Sequence, residues 1–296
     1  MRELLDPDAL LPALEKALID FSAGRVTQPV RSVVPVAQYQ GWFGLMPAVH
    51  GDIFGAKLVT VFPNNAARGL ATHQAAIHLF RAATGEPLAV MDGRFITAWR
   101  TATVSAIATR ELSHPNSRVL AILGSGVQAH THFEALRAQR PFEEVRVWSR
   151  TAEHARRFAG EIGATPMSAE EAVRGADVIV TATSASDPIV RGAWVKPGAY
   201  VNAVGAVGLR ARELDDDLMR AATLIVESRE SAARESAEIV QSGAPVQAEL
   251  GELLGRAANK PSPGATVVFK SLGIGVEDLA AARLVYAAAL RDAQRP

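Results

Sequence analysis

A short apolar strand runs directly into a glycine turn near the middle of the chain. The strand is Val119–Leu123, the turn is Gly124-Ser125-Gly126, and the next residues are Val127, Gln128 and Ala129. This order is typical of a dinucleotide-binding fold: Gly124 permits a tight turn, Gly126 lets the pyrophosphate approach the backbone, and Ala129 allows close packing of helix on strand. The segment predicts that a dinucleotide's phosphates lie on the N-terminal N–H groups of the following helix.

Beyond this turn, short apolar runs alternate with helical stretches. The runs occupy residues 118–124, 144–149, 176–183, 199–205, 222–228 and 265–273. Strands that alternate with helices need crossover connections, which produce a parallel sheet covered by helices. We therefore predict an α/β fold with a Rossmann-type, doubly wound parallel sheet, and a dinucleotide-binding domain over residues 116–275.

The first third of the chain has a different rhythm, with strand-like runs at short intervals. These runs occupy residues 30–36, 42–48, 56–62, 75–81 and 87–91. Short intervals favour antiparallel pairing. Residues 96–112 predict a helix that ends before His114-Pro115-Asn116, and residues 276–293 predict a final amphipathic helix. We expect a second, α+β domain with an antiparallel sheet, made of residues 1–115 and joined by residues 276–296.

Composition excludes several classes of function. The 31 basic and 31 acidic residues balance and form no basic patch, so we expect neither nucleic acid nor a membrane surface as a partner. The absence of cysteine removes disulfides and thiolate chemistry, and the seven histidines have no ligand spacing, so we expect no metal. Without a long apolar stretch, and with an amphipathic helix rather than a signal peptide at its start, the chain is expected to be cytoplasmic.

The end of the second strand of a dinucleotide-binding domain selects between the two nicotinamide dinucleotides. An NAD site usually has an acidic residue there, which accepts a hydrogen bond from the ribose 2′-hydroxyl. This chain has Ser149, Arg150 and Thr151 instead, whose hydroxyls and guanidinium suit a 2′-phosphate. These residues predict NADPH in preference to NADH. The rival interpretation is that Arg150 is a solvated surface charge.

A series of separate motifs, in a fixed order, resembles the ornithine cyclodeaminase and mu-crystallin family. The motifs lie at residues 28–35, 46–48, 56–59, 89–93, 96–102, 124–129, 202–205 and 269–273. The resemblance implies a homodimer of two-domain subunits, with one domain for substrate and dimerisation and the other for the nucleotide. It also implies activity on imines of 2-oxo acids.

The same resemblance points to particular side chains for the substrate. Arg31, Met46, Lys57 and Arg100 match the family's substrate site. Planar guanidinium groups bind carboxylates well, so Arg31 and Arg100 are candidates to hold the substrate carboxylate. Lys57 is the candidate proton donor, because a protonated imine accepts hydride more readily. The rival interpretation of Lys57 is an edge-strand charge that favours solubility.

Further nucleotide contacts are implied at the strand ends and at the start of the predicted helix over 96–112. Besides the glycine turn and the end of the second strand, they are Thr101, Thr181, Ala182, Thr183, Val204, Lys270 and Gly273. Lys270 is expected to border the nicotinamide, although it is equally suited to brace a loop. Together with Lys57 and the arginines, it predicts a locally cationic site in a chain of balanced charge.

One departure from the family pattern bears on the reaction. Members that deaminate ornithine carry an aspartate where this chain has Val207. Valine neither accepts a proton nor holds an ammonium group, so the resemblance is closest to the mu-crystallin-like ketimine reductases. The sequence thus predicts NADPH-dependent reduction of the C=N bond in imine carboxylates such as 1-pyrroline-2-carboxylate and 1-piperideine-2-carboxylate, with reductive amination of 2-oxo acids as an extension.

Two alternatives stay open at this point. The first is another enzyme, an NAD-dependent ornithine cyclodeaminase or an alanine dehydrogenase-type protein. The second belongs to a different class, an NADPH-gated binding protein for a small ligand resembling thyroid hormone. Cofactor oxidation separates the two classes, because a carrier binds NADPH without consuming it.

Overall fold

A computed structural model describes residues 4–294, which divide into two compact units. Unit 1 contains the residues up to Arg100 together with those from Gly273 onward, and unit 2 is Thr101–Leu272. These limits differ from the expected domain boundaries at 115/116 and 275/276. The first boundary lies earlier than expected because the helix over residues 93–112 begins in unit 1 and continues in unit 2. The break at His114-Pro115-Asn116 marks only the end of that helix. No helix among the described residues is long and apolar enough to cross a membrane.

Unit 1 is built from an antiparallel sheet and two complete helices. Its strands are β1 (Ser32–Val36), β2 (Gly41–His50), β3 (Ile53–Val61), β4 (His73–Arg81) and β5 (Pro87–Asp92). Its helices are α1 (Pro7–Ser22) and α10 (Gly275–Ala293), and α2 (Gly93–Leu112) starts here. The sheet order is β1-β2-β3-β4-β5, so each strand pairs with its neighbour in sequence through a short connection. The antiparallel sheet predicted from the short intervals is confirmed.

The two faces of this sheet have different surroundings. In β3, odd-numbered residues from Ile53 to Val59 are buried and the even-numbered ones are partly exposed. Helix α10 packs on β2, β3 and β4, and α1 packs on α10. Lys57 lies in the buried row of β3, opposite Met46 on β2 and Ile77 on β4. A charged side chain therefore lies on the face that α10 covers.

Unit 2 contains an eight-stranded sheet in which every described pairing is parallel. Its strands are β6 (Val119–Leu123), β7 (Glu144–Trp148), β8 (Thr165–Pro166), β9 (Val178–Thr181), β10 (Tyr200–Ala203), β11 (Thr223–Val226), β12 (Val246–Glu249) and β13 (Val267–Lys270). Its further helices are α3 (Val127–Gln139), α4 (Ala152–Ile162), α5 (Ala169–Val173), α6 (Asp216–Ala221), α7 (Arg229–Glu235), α8 (Ala237–Ser242) and α9 (Leu250–Leu254). The predicted doubly wound fold is confirmed.

The strand order β12-β11-β13-β10-β9-β6-β7-β8 reverses direction at β6. The chain goes from β6 outward to β7 and β8, then returns to β9 on the other side of β6. In open α/β sheets, ligands bind at the carboxyl ends of the strands where the order reverses. All four residues of β9 and of β10 are buried, which explains their continuous apolar runs in the sequence.

Candidate active site and nucleotide site

The glycine turn after β6 has a backbone that other residues could not adopt. Gly124 has φ +133°, and a Cβ at this position would lie 2.4 Å from the carbonyl oxygen of Ala182. Its N–H donates to Trp148 at the end of β7 (2.8 Å), and the Ala182 N–H donates to Leu123 at the end of β6 (2.8 Å). The carboxyl ends of β7, β6 and β9 are therefore held side by side around Gly124.

The start of α3 fits the phosphates of a dinucleotide. Gly126 is the N-cap of this helix and supplies no side-chain acceptor to its first turn. A Cβ on Gly126 would have no described atom within 4 Å, so the missing side chain leaves open space there. Backbone N–H groups at such a terminus attract anions. Ser125, the middle residue of the glycine turn, is held by a 2.9 Å hydrogen bond between its Oγ and that of Ser149.

A cavity of about 510 Å³ lies next to the carboxyl end of β7. Ser149 and Arg150 line it, as predicted for the second strand, and so does Arg156 from α4. Within residues 4–294, no carboxylate pairs with the exposed Arg150, and Thr151 is the N-cap of α4. Glu171 also lines the cavity, but its carboxylate accepts from the backbone and hydroxyl of Ser168. The cavity therefore presents two guanidinium groups to an anion.

Glu213, a residue that the sequence did not single out, organises the carboxyl ends of β9 and β10. Its buried carboxylate accepts from the hydroxyls of Thr181 (2.9 Å) and Thr183 (2.8 Å). Burial raises the pKa of Glu213, while the charge of Lys270 and the threonine donors oppose the shift. The predicted cofactor residues Thr181 and Thr183 thus use their hydroxyls within the protein. Ala182 lies between two residues bonded to this carboxylate, and Val204 directly precedes a third, Gly205.

The structure does not support Lys270 as a cofactor contact. Its side chain is completely buried, and Nζ donates to the carbonyl of Ala206 (2.7 Å) with Glu238 Oε1 at 3.3 Å. A lysine engaged in this way braces the loop after β10, which was the other interpretation of this residue. Thr101 is buried within α2.

In unit 1, Lys57 and Arg100 meet two carboxylates from the start of α10. Lys57 Nζ lies 2.6 Å from Asp278 Oδ2, Arg100 Nε donates to Asp278 Oδ1 (3.0 Å), and Arg100 Nη1 donates to Glu277 Oε2 (2.7 Å). All four side chains of this charged quartet are buried. The expectation of a cationic site does not hold for these four residues taken alone, because two acidic side chains lie beside the two basic ones.

Local sequence explains how α10 reaches Lys57. A Cβ on Gly275 would lie 3.1 Å from the carbonyl oxygen of Pro47 and 3.2 Å from that of Met46, so glycine lets the helix start close against β2. Glu277 and Asp278 then occupy the first turn, where the helix dipole favours negative charge. The sequence signal for both was only acidic residues at a helix start, which usually mark a solvated cap.

The charged quartet sets the ionisation of its members. Burial and the positive charge of Arg100 lower the pKa of Lys57 to about 7, and Asp278 opposes the shift. Burial alone would raise the pKa of Asp278, but Arg100 and Lys57 outweigh it and hold the pKa below its ordinary value. His73, partly buried on β4, has its pKa lowered to about 4 by burial and by the charges of Lys57 and Arg100. Lys57 is therefore an amine that exchanges its proton near neutral pH.

Arg31 and Gly273 lie next to the charged quartet. Arg31 Nη2 donates to the carbonyl of Gly273 (2.8 Å), and Arg31 is close enough to lower the pKa of Lys57. Gly273 has φ +72°, and a Cβ there would lie 2.2 Å from Arg100 Nη1. The structure thus brings together all four predicted substrate residues, with Met46 beside Lys57. It places Gly273, predicted as a nucleotide contact, against the two arginines.

Comparisons with known proteins identify the family of this chain. The family model described as "Ornithine cyclodeaminase/mu-crystallin family" matches residues 1–293. The ketimine reductase mu-crystallin of Mus musculus is 52% identical over 286 residues, covering 94% of this chain and 91% of that protein.

Two solved structures share the fold over nearly the whole chain. The first is a Thermococcus litoralis Δ1-pyrroline-2-carboxylate reductase in complex with NADH and L-proline, with TM-score 0.94, 32% identity and coverage of 99% of this chain and 96% of that one. The second is an archaeal alanine dehydrogenase dimer with bound NAD, with TM-score 0.94, 30% identity and coverage of 100% and 95%. The resemblance found in the sequence motifs is confirmed, and the chain belongs to the ornithine cyclodeaminase/mu-crystallin family.

Proposed function

We propose that this protein reduces the C=N bond of imine carboxylates, cyclic or N-substituted, with NADPH as the preferred cofactor. In this proposal unit 1 binds the substrate and unit 2 binds the nucleotide. The observation that carries it is Lys57, a buried amine of pKa about 7 that lies among two arginines and two carboxylates. The relatives named for ketimine and pyrroline-2-carboxylate reduction support the same reaction.

The arginines supply recognition of the substrate carboxylate. Arg31 is only partly buried, and its guanidinium is oriented by the Gly273 carbonyl (2.8 Å). Arg100 is held on one side by Glu277 and Asp278, which fixes the plane of its guanidinium. A planar fork held in this way binds a carboxylate with little loss of side-chain freedom. Arg31 adds the positive charge that the neutral quartet does not provide.

Lys57 supplies the proton. With a pKa of about 7, a substantial fraction of the amine is protonated at neutral pH, and it gives up the proton readily. Proton transfer from Nζ to the imine nitrogen creates a cation in the substrate, and the nearby Asp278 carboxylate favours this charge. Burial excludes water that would otherwise compete for the proton or hydrolyse the imine.

Unit 2 has the residues to hold the cofactor, which when bound supplies the hydride. The first turn of α3 after Gly126 fits the pyrophosphate, and Ser149, Arg150 and Thr151 fit a 2′-phosphate. Replacing Arg150 with alanine is expected to raise the KM for NADPH at least tenfold and leave the KM for NADH within twofold. Equal Michaelis constants for both cofactors, unchanged in the variant, would refute the preference for NADPH.

The residue at position 207 argues against the cyclodeaminase alternative. Val207 is partly buried and packs against the apolar core of unit 2, so this position has no acid to act on a substrate amine. The direct test is NADPH oxidation across cyclic imine carboxylates and across pairs of 2-oxo acids with amines. Ammonia release from ornithine with NAD would support a cyclodeaminase instead, and NADPH binding without oxidation would support a carrier. The Lys57→Met variant tests the proton donor, whose assignment fails if turnover stays within a few fold of wild type.

We infer that the protein forms a homodimer through the face of the unit 1 sheet opposite α10. Several side chains of this face are apolar and exposed, with Leu45 at 36%, Val49 at 43% and Val90 at 66% of full exposure. Phe54 and Phe80 stack on the same face at 5.0 Å. Apolar patches of this kind mark interaction surfaces, and a related alanine dehydrogenase is a dimer.

Solution mass tests this inference. Light scattering on the purified chain should give twice the chain mass of 31.4 kDa, and Leu45→Glu should shift the mass to that of one chain. The matched control is Leu209→Glu, an exposed leucine of unit 2, which should leave the dimer intact. A single-chain mass for the wild-type protein at micromolar concentration would overturn the inference.

A further inference from the structure

The Glu213 carboxylate receives five hydrogen bonds from the described residues, all from the carboxyl end of β9 and the segments that follow β9 and β10. Its Oε1 accepts from the backbone N–H of Thr183 (2.7 Å) and from the Thr183 hydroxyl (2.8 Å). Its Oε2 accepts from the Thr181 hydroxyl (2.9 Å) and from the N–H groups of Gly205 (2.8 Å) and Ala206 (3.1 Å). One buried side chain therefore joins the ends of two neighbouring strands.

The backbone of Glu213 and its neighbours extend the same connection. The Glu213 N–H donates to Glu238 Oε1 (3.0 Å), and the Glu213 carbonyl accepts from the N–H groups of Ile189 and Val190. Lys270, at the end of β13, donates to the Ala206 carbonyl (2.7 Å). The carboxyl ends of β9, β10 and β13 are thus tied into one network with Glu213 at its centre.

The loop after β10 packs closely against this network. A Cβ on Gly205 would lie 2.2 Å from both the nitrogen and the oxygen of Thr183, and 2.5 Å from Glu213 Oε1. The loop therefore lies directly against the chain that follows β9. This close approach fixes the backbone of residues 204–206.

The position of the network in the sheet indicates what it serves. Arg150 and the cavity lie at β7, on one side of β6, whereas β9, β10 and β13 lie on the other side. A dinucleotide crosses the carboxyl ends of such a sheet with one nucleotide on each half. If the 2′-phosphate end lies at β7, the nicotinamide end lies over the segments that Glu213 holds.

We propose that Glu213 is a positioning residue that fixes the surface on which the nicotinamide half of the cofactor binds. The proposal rests on the proposed nucleotide-binding function of unit 2. Glu213 acts through Thr183, Gly205 and Ala206, and it does not itself contact the reacting atoms. Its effect is therefore confined to one half of the cofactor.

The conservative variant Glu213→Gln disrupts the hydrogen bonds of the Glu213 carboxylate with little change in side-chain volume. A carboxylate offers two acceptor oxygens, whereas an amide offers one oxygen and one NH₂ group. Whichever way the amide turns, its NH₂ faces a backbone N–H, that of Thr183 or those of Gly205 and Ala206. A buried N–H without an acceptor is costly, so the strand-end segments shift apart.

Binding of cofactor fragments separates positioning from general damage. Calorimetry would measure dissociation constants of NADPH and of 2′-phospho-ADP-ribose, which lacks the nicotinamide, for the wild-type protein and Glu213→Gln. We expect NADPH to bind about tenfold more weakly in the variant, while the constant for the fragment stays within twofold. The matched control is Glu252→Gln, which removes a carboxylate that caps α9 and pairs with Arg229, and it should change neither constant.

The possible outcomes decide the proposal. Equal weakening of NADPH and the fragment, or no weakening of either, overturns it. If Glu213→Gln does not fold, Thr183→Val provides the second test, because it removes one of the five hydrogen bonds. This variant must bind NADPH more weakly while its affinity for the fragment is unchanged, with a smaller effect than that expected for Glu213→Gln. If this selective loss of NADPH affinity is absent, the proposal is overturned. If the wild-type protein binds ADP-ribose but not its 2′-phosphorylated form, the proposed preference for NADPH fails. The effect of Glu213→Gln is then measured with NADH and ADP-ribose, which differ in the same nicotinamide half and therefore test the same proposal.

Discussion

Replacing Gly273 with alanine is expected to perturb the proposed substrate site through a single methyl group. An alanine Cβ would lie 2.2 Å from Arg100 Nη1 and 2.6 Å from Nη2, where ordinary contact begins near 3.4 Å. The guanidinium would have to retreat by about 1 Å. It cannot retreat without lengthening its hydrogen bonds to Glu277 (2.7 Å) and Asp278 (3.0 Å). The variant therefore displaces a charged group that the proposed mechanism uses to hold the substrate.

The size of the effect follows from this displacement. A misplacement of about 1 Å in a positioning group can lower the rate about 100-fold, which corresponds to about 2.7 kcal/mol of transition-state stabilisation. The left-handed backbone at φ +72° adds a cost of about 1 kcal/mol to folding. We expect kcat/KM for an imine carboxylate to fall about 100-fold, with a modest loss in melting temperature. Steady-state NADPH oxidation and a thermal melt measure the two quantities.

A matched glycine separates the clash from the backbone cost. Gly69, also in unit 1, has φ +68°, and a Cβ there would have no described atom within 4 Å. Gly69→Ala carries the same backbone penalty and should keep kcat/KM within twofold of wild type. If kcat/KM of Gly273→Ala also stays within threefold of the wild-type value, the position of Arg100 does not depend on the space that Gly273 leaves, and the proposed displacement of its guanidinium is refuted.

Three further predictions concern protons. Because Lys57 acts as an acid in the proposed mechanism, kcat/KM should fall as pH rises through about 7. Lys57→Met should lower turnover by about 100-fold and abolish that inflection. A wild-type pH–rate profile without an inflection near 7 would contradict the role of Lys57 as proton donor. Asp278→Asn removes a charge that raises the pKa of Lys57, so the same inflection should move to lower pH, and a shift to higher pH would contradict the electrostatic account. His132 is buried with its pKa lowered from 6.5 to about 4, so the unfolded chain binds the proton more tightly. Between pH 6.5 and 4, urea unfolding should therefore show the wild-type protein losing about 3 kcal/mol more stability than His132→Gln, and equal losses in the two proteins would refute the assignment.

The elements that sequence patterns predicted well are those with local physical causes. The turn at Gly124 needs a φ that other residues avoid, so its glycine is visible in the sequence without any tertiary information. The strands β9 and β10 are buried on both faces and read as continuous apolar runs. The edge strands β8 and β12 were missed because Thr165–Pro166 is only two residues long and Val246–Glu249 alternates with polar residues.

The candidate substrate residues also came from sequence, through motifs in a fixed order. Arg31, Lys57 and Arg100 are widely separated in the chain, and their grouping rested on the family resemblance rather than on spacing. The structure brings them together in unit 1. Residue type alone indicated what each could bind, because a guanidinium suits a carboxylate and an amine suits proton transfer.

Patterns in the sequence thus sufficed to predict the fold class, the glycine turn and the residue types available for chemistry. The electrostatic state of those residues depends on tertiary contacts. Asp278 is 178 positions from Arg100, yet it pairs with both Arg100 and Lys57, while burial lowers the pKa of Lys57 to about 7. Lys270 is completely buried too, yet it serves to brace a loop. Burial and the partners of a charge depend on which distant segments pack together, and no local pattern records them.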